Sequence, residues 1–112
     1  MKVYQEYGAA FIYLSKKTLE KYDYKSGDTE GLVNYPLSIK GINFSALFME
    51  KDDYVKVSLR SKNKFDTNII ARKYFNGGGH VNASGGKSFS SLLDTIKLFE
   101  ILLKENKEEI LS

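Results

Sequence analysis

Residues 42–61, INFSALFMEKDDYVKVSLRS, decide the fold of this chain, because they form two strand-like runs on either side of a polar turn. The first run, from Ile42 to Glu50, is almost entirely apolar. The second run, from Tyr54 to Ser61, alternates between the apolar residues Val55, Val57 and Leu59 and the polar residues Lys56, Ser58 and Arg60. This alternation is typical of a half-buried strand. We therefore predict a hairpin around Lys51-Asp52-Asp53 with one polar face.

The residues before the hairpin predict one strand and two short helices. Gly8 to Leu14 is predicted as a strand, and Ser15 as the N-cap of a helix that runs to about Tyr22. Lys25-Ser26-Gly27 is predicted as a turn. Asp28 is then the expected N-cap of a second helix, which ends at or just before Pro36.

The residues after the hairpin predict two more helices and a strand. Asp66 is expected to cap a helix over residues 67–75, with Ile70, Ala71 and Tyr74 buried and Asn76-Gly77 ending it. A short strand is predicted from Gly86 to Phe89. Ser91 is expected to start the longest helix, which runs to about Asn106 and buries Leu92, Ile96, Phe99 and Leu103. The tail from Lys107 to Ser112 is expected to fray.

Length predicts one domain over residues 1–112. The order of the predicted elements, βα-α-ββ-α-β-α, predicts an α+β fold with helices packed on a mixed β-sheet of about four to five strands. The chain has 112 residues, of which 42% are hydrophobic, enough for one modest core. It has no cysteine, which excludes disulfides and thiolate metal sites. The sequence shows no signal peptide and no long apolar span. We therefore expect a cytoplasmic protein with no membrane partner.

Glycines are concentrated in Gly77-Gly78-Gly79-His80-Val81-Asn82-Ala83-Ser84-Gly85-Gly86, which also holds the only histidine of the chain. Glycine loses much conformational entropy on folding, so a cluster of five needs a reason. Close approach of backbone N–H groups to an anion would be one, and His80 could add a hydrogen bond or a proton. The structural alternative is a flexible turn.

Charge is uneven along the chain, although the net charge is only +3. Residues 55–91 contain seven Lys and Arg residues, including both arginines, against Asp66 as the only acid. A positive block around the glycine cluster predicts a phosphate-bearing partner. A solvated basic face is the alternative.

Known phosphate and metal motifs do not match. The segment Gly85-Gly86-Lys87-Ser88 resembles the end of a P-loop, but Val81 stands where the first glycine is required. A dinucleotide-binding fingerprint fails at Asn82. One histidine and no cysteine give no predicted metal site. The sequence leaves a Ser-His-Asp set open but has no nucleophile elbow, so it predicts phosphate donors and assigns no catalytic residue.

Several of these segments together resemble the DHH-associated C-terminal domain of DHH-superfamily phosphoesterases. The resemblance rests on Ser58-Leu59-Arg60-Ser61, the glycine–histidine motif and Asn82-Ala83-Ser84-Gly85-Gly86. It extends to Asp28-Thr29-Glu30-Gly31-Leu32-Val33 and to Ile39-Lys40-Gly41-Ile42 with the following strand, so that it covers about Gly8 to Phe99. The most similar branch is that of the nano-RNases, oligoribonucleases that also dephosphorylate adenosine 3′,5′-bisphosphate, with relatives that cleave linear diadenylate.

The resemblance implies a substrate-binding domain without its catalytic domain. In the family, the N-terminal DHH domain holds a Mn²⁺ pair, and the C-terminal domain closes over the substrate. This chain lacks the metal-ligand motifs, so Met1 is not expected to be the native start, and the chain alone should bind and not cleave. The implied partners are short single-stranded RNA or a phosphorylated nucleotide, the DHH domain of the same protein, and a second copy in a full-length homodimer.

The resemblance also implies roles for individual residues. Arg60 and His80 would contact the substrate phosphate, and Gly78 and Gly79 would present backbone N–H groups and leave room for the nucleotide. Asn82 and Ser84 would be secondary contacts. Glu30 has no implied role beyond the helix end.

Two other interpretations stay open. The chain could be a stand-alone nucleic-acid-binding module like the C-terminal domain of alanyl-tRNA synthetase, although that domain tends to carry a different basic residue where this chain has His80. It could also be a structural or dimerising domain with a glycine turn.

Overall fold

A mixed sheet of six strands forms the centre of the computed structural model, which describes residues 1–23 and 26–112. The strand order is β1-β2-β3-β4-β6-β5. The β2 and β3 strands are parallel, and all other neighbours are antiparallel. The strands are β1 (Lys2–Tyr4), β2 (Ala9–Leu14), β3 (Phe44–Glu50), β4 (Val55–Ser61), β5 (Gly78–Gly79) and β6 (Ala83–Ser88).

Helices cover both faces of this sheet. On one face lie α1 (Lys16–Tyr22) and α2 (Ser26–Asn34), and on the other α3 (Thr67–Tyr74), α4 (Leu92–Glu105) and α5 (Lys107–Leu111). Two 3-10 turns, Gln5–Tyr7 and Tyr35–Ser38, complete the described elements. The α+β architecture with a mixed sheet is therefore confirmed.

The larger part of the core lies between the sheet and α3, α4 and α5. The Phe99 ring of α4 is fully buried and contacts Phe11, Phe44 and Phe48 of the sheet, with ring centroids 5.4 to 5.9 Å apart. A smaller cluster under α1 and α2 contains Leu14, Val33, Leu47 and Met49. The β3 strand is buried on both faces, which explains why its sequence is apolar without alternation.

Three predicted helix starts are confirmed by their side-chain caps. Ser15 Oγ accepts a hydrogen bond from Thr18 N, Asp66 Oδ1 accepts one from Asn68 N, and Ser91 Oγ accepts one from Asp94 N. The fourth predicted start is wrong: α2 begins at Ser26, which places Asp28 in its first turn. A carboxylate is favourable there because of the helix dipole. Of the predicted turn, Lys25 lies outside the described residues, and Ser26 and Gly27 are helical.

The sheet has six strands, slightly more than the four to five that we predicted. The β1 strand has three residues and β5 has two, too few for a periodic pattern to be visible in the sequence. The predicted last strand is also displaced, since β6 covers Ala83–Ser88 and leaves Phe89 exposed.

The predicted fraying of the tail is wrong. Residues Lys107–Leu111 form α5, and the Ile110 side chain is fully buried in the larger core. The Ile110 carbonyl oxygen accepts hydrogen bonds from the side-chain amides of Asn43 and Asn63, at 2.8 and 2.9 Å. These partners lie far from the tail in sequence and hold it in place. The local sequence of the tail therefore could not predict its order.

Candidate functional site

The β4 and β6 strands carry a polar surface on the side of the sheet where α1 and α2 pack. In the β4–β6 ladder, Arg60 lies opposite Ala83, Ser58 opposite Gly85, and Lys56 opposite Lys87. We call these six residues the polar sheet face. Their even spacing follows from the two-residue period of a strand, which sends Val55, Val57 and Leu59 into the core instead. The predicted polar face of the hairpin is thus confirmed.

Arg60 stands at one end of the polar sheet face and is held by four hydrogen bonds. Its Nε and Nη2 donate to the two carboxylate oxygens of Glu30, at 3.1 and 2.6 Å. Its Nη1 donates to the carbonyl oxygens of Leu59 and Ser84, at 2.8 and 3.3 Å. A guanidinium has five N–H donors, so one N–H on Nη2 is left for a ligand while Glu30 stays in place.

Glu30 is a site residue that the sequence did not reveal. It lies on α2, thirty positions before its partner, and its side chain is 55% exposed while that of Arg60 is 16% exposed. The hydrogen bond from Arg60 lowers the pKa of the Glu30 carboxyl group below its ordinary value. Glu30 therefore stays ionised and occupies the edge of the guanidinium that a phosphate would use.

The glycine segment forms a tight strand pair. Gly78 and Gly79 form β5, which pairs with Gly85 and Ser84 of β6. A Cβ on Gly77 would lie 1.9 Å from the Gly85 carbonyl oxygen, and one on Gly86 would lie 2.1 Å from that of Phe75. These two glycines therefore allow one backbone to approach another, so the alternative of a flexible turn is wrong for this part of the motif.

Two N–H groups of the glycine–histidine motif donate within the chain. Gly79 N donates to Asn68 Oδ1 at 2.9 Å, and His80 N donates to the Ala83 carbonyl oxygen at 2.7 Å. Asn68 of α3 therefore accepts from the Gly79 N–H that we expected to face an anion, and the contact of Gly79 with a substrate stays a prediction. Gly78 lies beside the same helix, since a Cβ there would be 3.2 Å from Asn68 Oδ1.

The side chains of Asn82 and Ser84 make internal contacts. Asn82 Nδ2 donates to Ser61 Oγ and to the Asn63 carbonyl oxygen, at 2.8 and 2.7 Å. Ser84 is buried on the α3 side of the sheet, where its hydroxyl donates to Thr67. The Ser84 hydroxyl thus has partners within the chain, and the part of Ser84 that reaches Arg60 is its carbonyl oxygen. The expected secondary contacts of Asn82 and Ser84 with a substrate stay predictions.

His80 has an exposed side chain at the end of the β5–β6 pair. The His80 backbone lies next to Ala83, whose carbonyl oxygen accepts the hydrogen bond from His80 N. Ala83 in turn lies opposite Arg60 in the β4–β6 ladder. Thr67 Oγ1 donates to the His80 carbonyl oxygen at 3.1 Å and anchors this end of the hairpin. The fold thus brings the two predicted phosphate ligands to one end of the polar sheet face.

An open groove lies at the other end of this face. It has a volume of about 550 Å³. The residues that line it with side chains include Lys51, Tyr54, Lys56, Ser58, Asn76 and Lys87, and we call it the lysine groove. The Lys87 Nζ atom lies over the Tyr54 ring, 4.5 Å from its centroid.

The structure offers no metal centre within residues 1–23 and 26–112, because no three His, Asp or Glu side chains come together there. The side chains of this part of the chain therefore do not fit a metal pair. In the same ranges, no helix has the length and apolar character needed to cross a membrane.

This chain is similar in sequence to one protein family and to two curated proteins. Residues 7–110 match the DHHA1 domain family. The chain is 42% identical over 85 residues to the bifunctional oligoribonuclease and PAP phosphatase NrnA of Bacillus subtilis, a match that covers 76% of this chain and 26% of the relative. It is 39% identical over 84 residues to the probable counterpart in Streptococcus mutans, with coverages of 74% and 26%. The chain thus spans about a quarter of each relative.

Solved structures show the same fold. An exopolyphosphatase-related protein from Bacteroides fragilis superposes with a TM-score of 0.91 at 46% identity, over 97% of this chain and 32% of that protein. The C-Ala domain of alanyl-tRNA synthetase from Aquifex aeolicus superposes with a TM-score of 0.60 at 13% identity, over 85% of this chain and 89% of that domain. That second likeness concerns the fold alone. Since the family match spans nearly all of its residues, this chain belongs to the DHHA1 domain family.

Proposed function

We propose that this chain is the substrate-recognition domain of a longer phosphoesterase that hydrolyses short oligoribonucleotides, adenosine 3′,5′-bisphosphate or linear dinucleotides. The observation that carries the proposal is the placement of Arg60. Its guanidinium is fixed on the polar sheet face by two backbone carbonyls and Glu30. Arg60 lies directly opposite Ala83 of the β5–β6 hairpin, and the same hairpin carries the exposed His80. Guanidinium groups bind phosphate oxygens well. Here the guanidinium would offer the remaining N–H of Nη2, or the whole Nε–Nη2 edge where the phosphate displaces Glu30.

The chemistry of hydrolysis would belong to the rest of that longer protein. There, a DHH domain with a Mn²⁺ pair would activate the attacking water, as metal pairs do in phosphoesterases. The residues of this chain would bind the phosphate and the nucleotide and orient them. On its own, the chain would therefore bind nucleotides and leave them intact.

The proposal is tested by titrating the chain with 5′-phosphorylated diadenylate and following amide NMR shifts. We expect shifts at residues 77–84 and around Arg60. Arg60→Ala should weaken binding about tenfold or more, since the loss of a charge-assisted hydrogen bond costs about 1.5–3 kcal/mol. His80→Ala should weaken it as well, and Lys97→Ala on α4 is the control.

Arg60→Lys provides a second variant if Arg60→Ala lowers stability. It keeps the positive charge and removes the planar fork, so binding should weaken while the protein stays folded. Affinities that are unchanged in all three site variants, or an absence of shifts at millimolar ligand, would reject the proposed function.

A nucleic-acid-binding module without an associated hydrolase is the second candidate, because the lysine groove carries positive charge beside the predicted phosphate site. The two candidates differ in their dependence on the terminal phosphate. A substrate domain that grips a phosphate through Arg60 should prefer 5′-phosphorylated diadenylate to its unphosphorylated form. Equal affinities for the two would favour the binding module.

A further inference from the structure

Two lysines face each other across the sheet without a carboxylate between them. Lys56 of β4 and Lys87 of β6 are direct cross-strand partners, and both side chains are exposed on the polar sheet face. Like charges directly opposite each other in an antiparallel ladder are destabilising. The fold tolerates this cost here, and a departure from local rules of this kind is often found at functional sites.

Among the described residues, those that line the lysine groove supply no negative charge. The side chains that line the lysine groove include no Asp or Glu, and Lys51 from the hairpin turn adds a third positive charge. Among the described residues, none of these three lysines forms an ion pair. Glu50 and Asp52, which flank Lys51 in sequence, both contact Lys16 of α1. Asp53 is exposed in the same turn and is not among the residues that line the groove. An anion from outside the chain would therefore relieve the repulsion.

The groove is shaped to receive such an anion. Ser58 and the cross-strand Gly85 lie between the lysine pair and Arg60 in the ladder, and neither of them has a large side chain. The Tyr54 ring holds the Lys87 ammonium group in place, and Asn76 Nδ2 donates to the Lys87 carbonyl oxygen at 3.2 Å. A lysine that is already oriented loses less side-chain entropy when it binds.

We propose that the lysine groove is a second nucleotide subsite, which binds a phosphodiester of a short single-stranded oligonucleotide whose terminal phosphate lies at Arg60. This proposal rests on the proposed function. Lys56 and Arg60 are four residues apart on one strand, so the two subsites are about 13 Å apart at about 3.3 Å per residue. A mononucleotide would occupy the Arg60 subsite alone, whereas a trinucleotide would occupy both. The groove thus makes affinity depend on substrate length.

The decisive variant is Lys87→Glu. It replaces the repulsive cross-strand pair by an attractive one, so the thermal midpoint of unfolding should rise. Affinity for 5′-phosphorylated triadenylate should fall at least about tenfold, because the variant removes one cation that binds phosphate and adds a repulsive charge. Affinity for 5′-AMP should stay within about twofold, since it contacts only the Arg60 subsite. Lys97→Glu on α4 makes the same change of net charge away from the face and is the control.

Salt dependence provides a second measurement. The slope of the logarithm of the triadenylate affinity against the logarithm of the salt concentration should become shallower in Lys56→Gln/Lys87→Gln. We expect a change of about 0.7 for each phosphate that the variant no longer neutralises. The slope for 5′-AMP should not change. Thermal unfolding of the same samples shows that the variant is folded when the salt dependence of triadenylate and 5′-AMP binding is measured.

The outcomes separate the two proposals. Unchanged triadenylate affinity in Lys87→Glu, with binding abolished in Arg60→Ala, would overturn the second subsite and leave the proposed function standing. A lower thermal midpoint in Lys87→Glu would also count against the second subsite, because the lysine pair would then carry no cost. If the wild-type chain binds neither 5′-AMP nor triadenylate, both proposals fail.

Discussion

The two ends of the polar sheet face differ in whether the chain neutralises their positive charges. At the Arg60 end, the chain supplies its own anion, because both carboxylate oxygens of Glu30 accept hydrogen bonds from the guanidinium. At the Lys56 end, the lysine groove contains no carboxylate, and its three lysines stand without an ion pair among the described residues. A ligand at the first end must compete with Glu30, whereas a ligand at the second end meets unneutralised charge.

This difference suggests a division of labour between the two ends. The guanidinium is held in one orientation, which favours a specific geometry of the bound phosphate. The lysine ammonium groups are compact point charges without a planar fork, so they attract phosphates of many geometries. Specificity should therefore arise mainly at the Arg60 end, and additional affinity for longer ligands at the lysine groove.

The largest effect is expected from Gly86→Ala, which should damage both ends together. A Cβ at this position would lie 2.1 Å from the Phe75 carbonyl oxygen, which accepts the Lys87 N–H at 2.6 Å. Overpacking of this kind costs typically about 1–3 kcal/mol of unfolding free energy, which urea unfolding would measure. Binding of 5′-AMP and of triadenylate should fall in parallel.

Gly31→Ala in α2 is the matched control, because a Cβ there would have no neighbour within 4 Å. Alanine should leave stability unchanged or raise it by up to about 1 kcal/mol, since it is the better helix former. A wild-type urea midpoint for Gly86→Ala would show that the close approach of β6 to Phe75 is not needed.

A smaller effect is expected from Glu30→Gln, which should make the Arg60 end behave like the lysine groove. The guanidinium keeps its two backbone acceptors, so it stays in place while the competing charge is removed. Affinity for 5′-AMP, measured by calorimetry, should rise by about fivefold at most, because exposed ion pairs contribute about 0.2–1 kcal/mol. Glu108→Gln on α5 should have no effect. Weaker binding in Glu30→Gln would mean that Glu30 positions Arg60 and does not compete with the ligand.

The smallest effect is the pH dependence of the Glu30–Arg60 pair. The hydrogen bond from Arg60 holds the pKa of Glu30 below its ordinary value of 4.5. Since the folded-state pKa is lowered, the pair stabilises the fold above the unfolded pKa and loses that contribution as the pH falls through the folded pKa.

Urea unfolding from neutral pH down to about pH 3 would measure this dependence. The difference in unfolding free energy between wild type and Glu30→Gln should be constant near neutral pH, at under about 1 kcal/mol for a pair this exposed. It should then shrink in acid. A difference that persists unchanged in acid would assign the effect of the substitution to something other than the ion pair.

The sequence by itself determined the features that depend on local chemistry. The caps at Ser15, Asp66 and Ser91 were predictable because each side chain bonds to backbone groups within three residues. The alternation of β4 followed from the two-residue period of a strand, and this period alone was enough to place Arg60 on a polar face. The glycine–histidine motif indicated the family, which the comparisons confirm.

Only the tertiary structure decided how distant segments meet. The tail helix α5 forms because the core buries Ile110, and β1 and β5 exist because longer strands offer them partners. The pairing of Glu30 with Arg60 and of Lys56 with Lys87 depends on helix docking and on the register between β4 and β6. A hairpin turn fixes the register of neighbouring strands such as β3 and β4, but no such turn connects β4 to β6. Their register and the docking of the helices are therefore decided only when distant segments pack together.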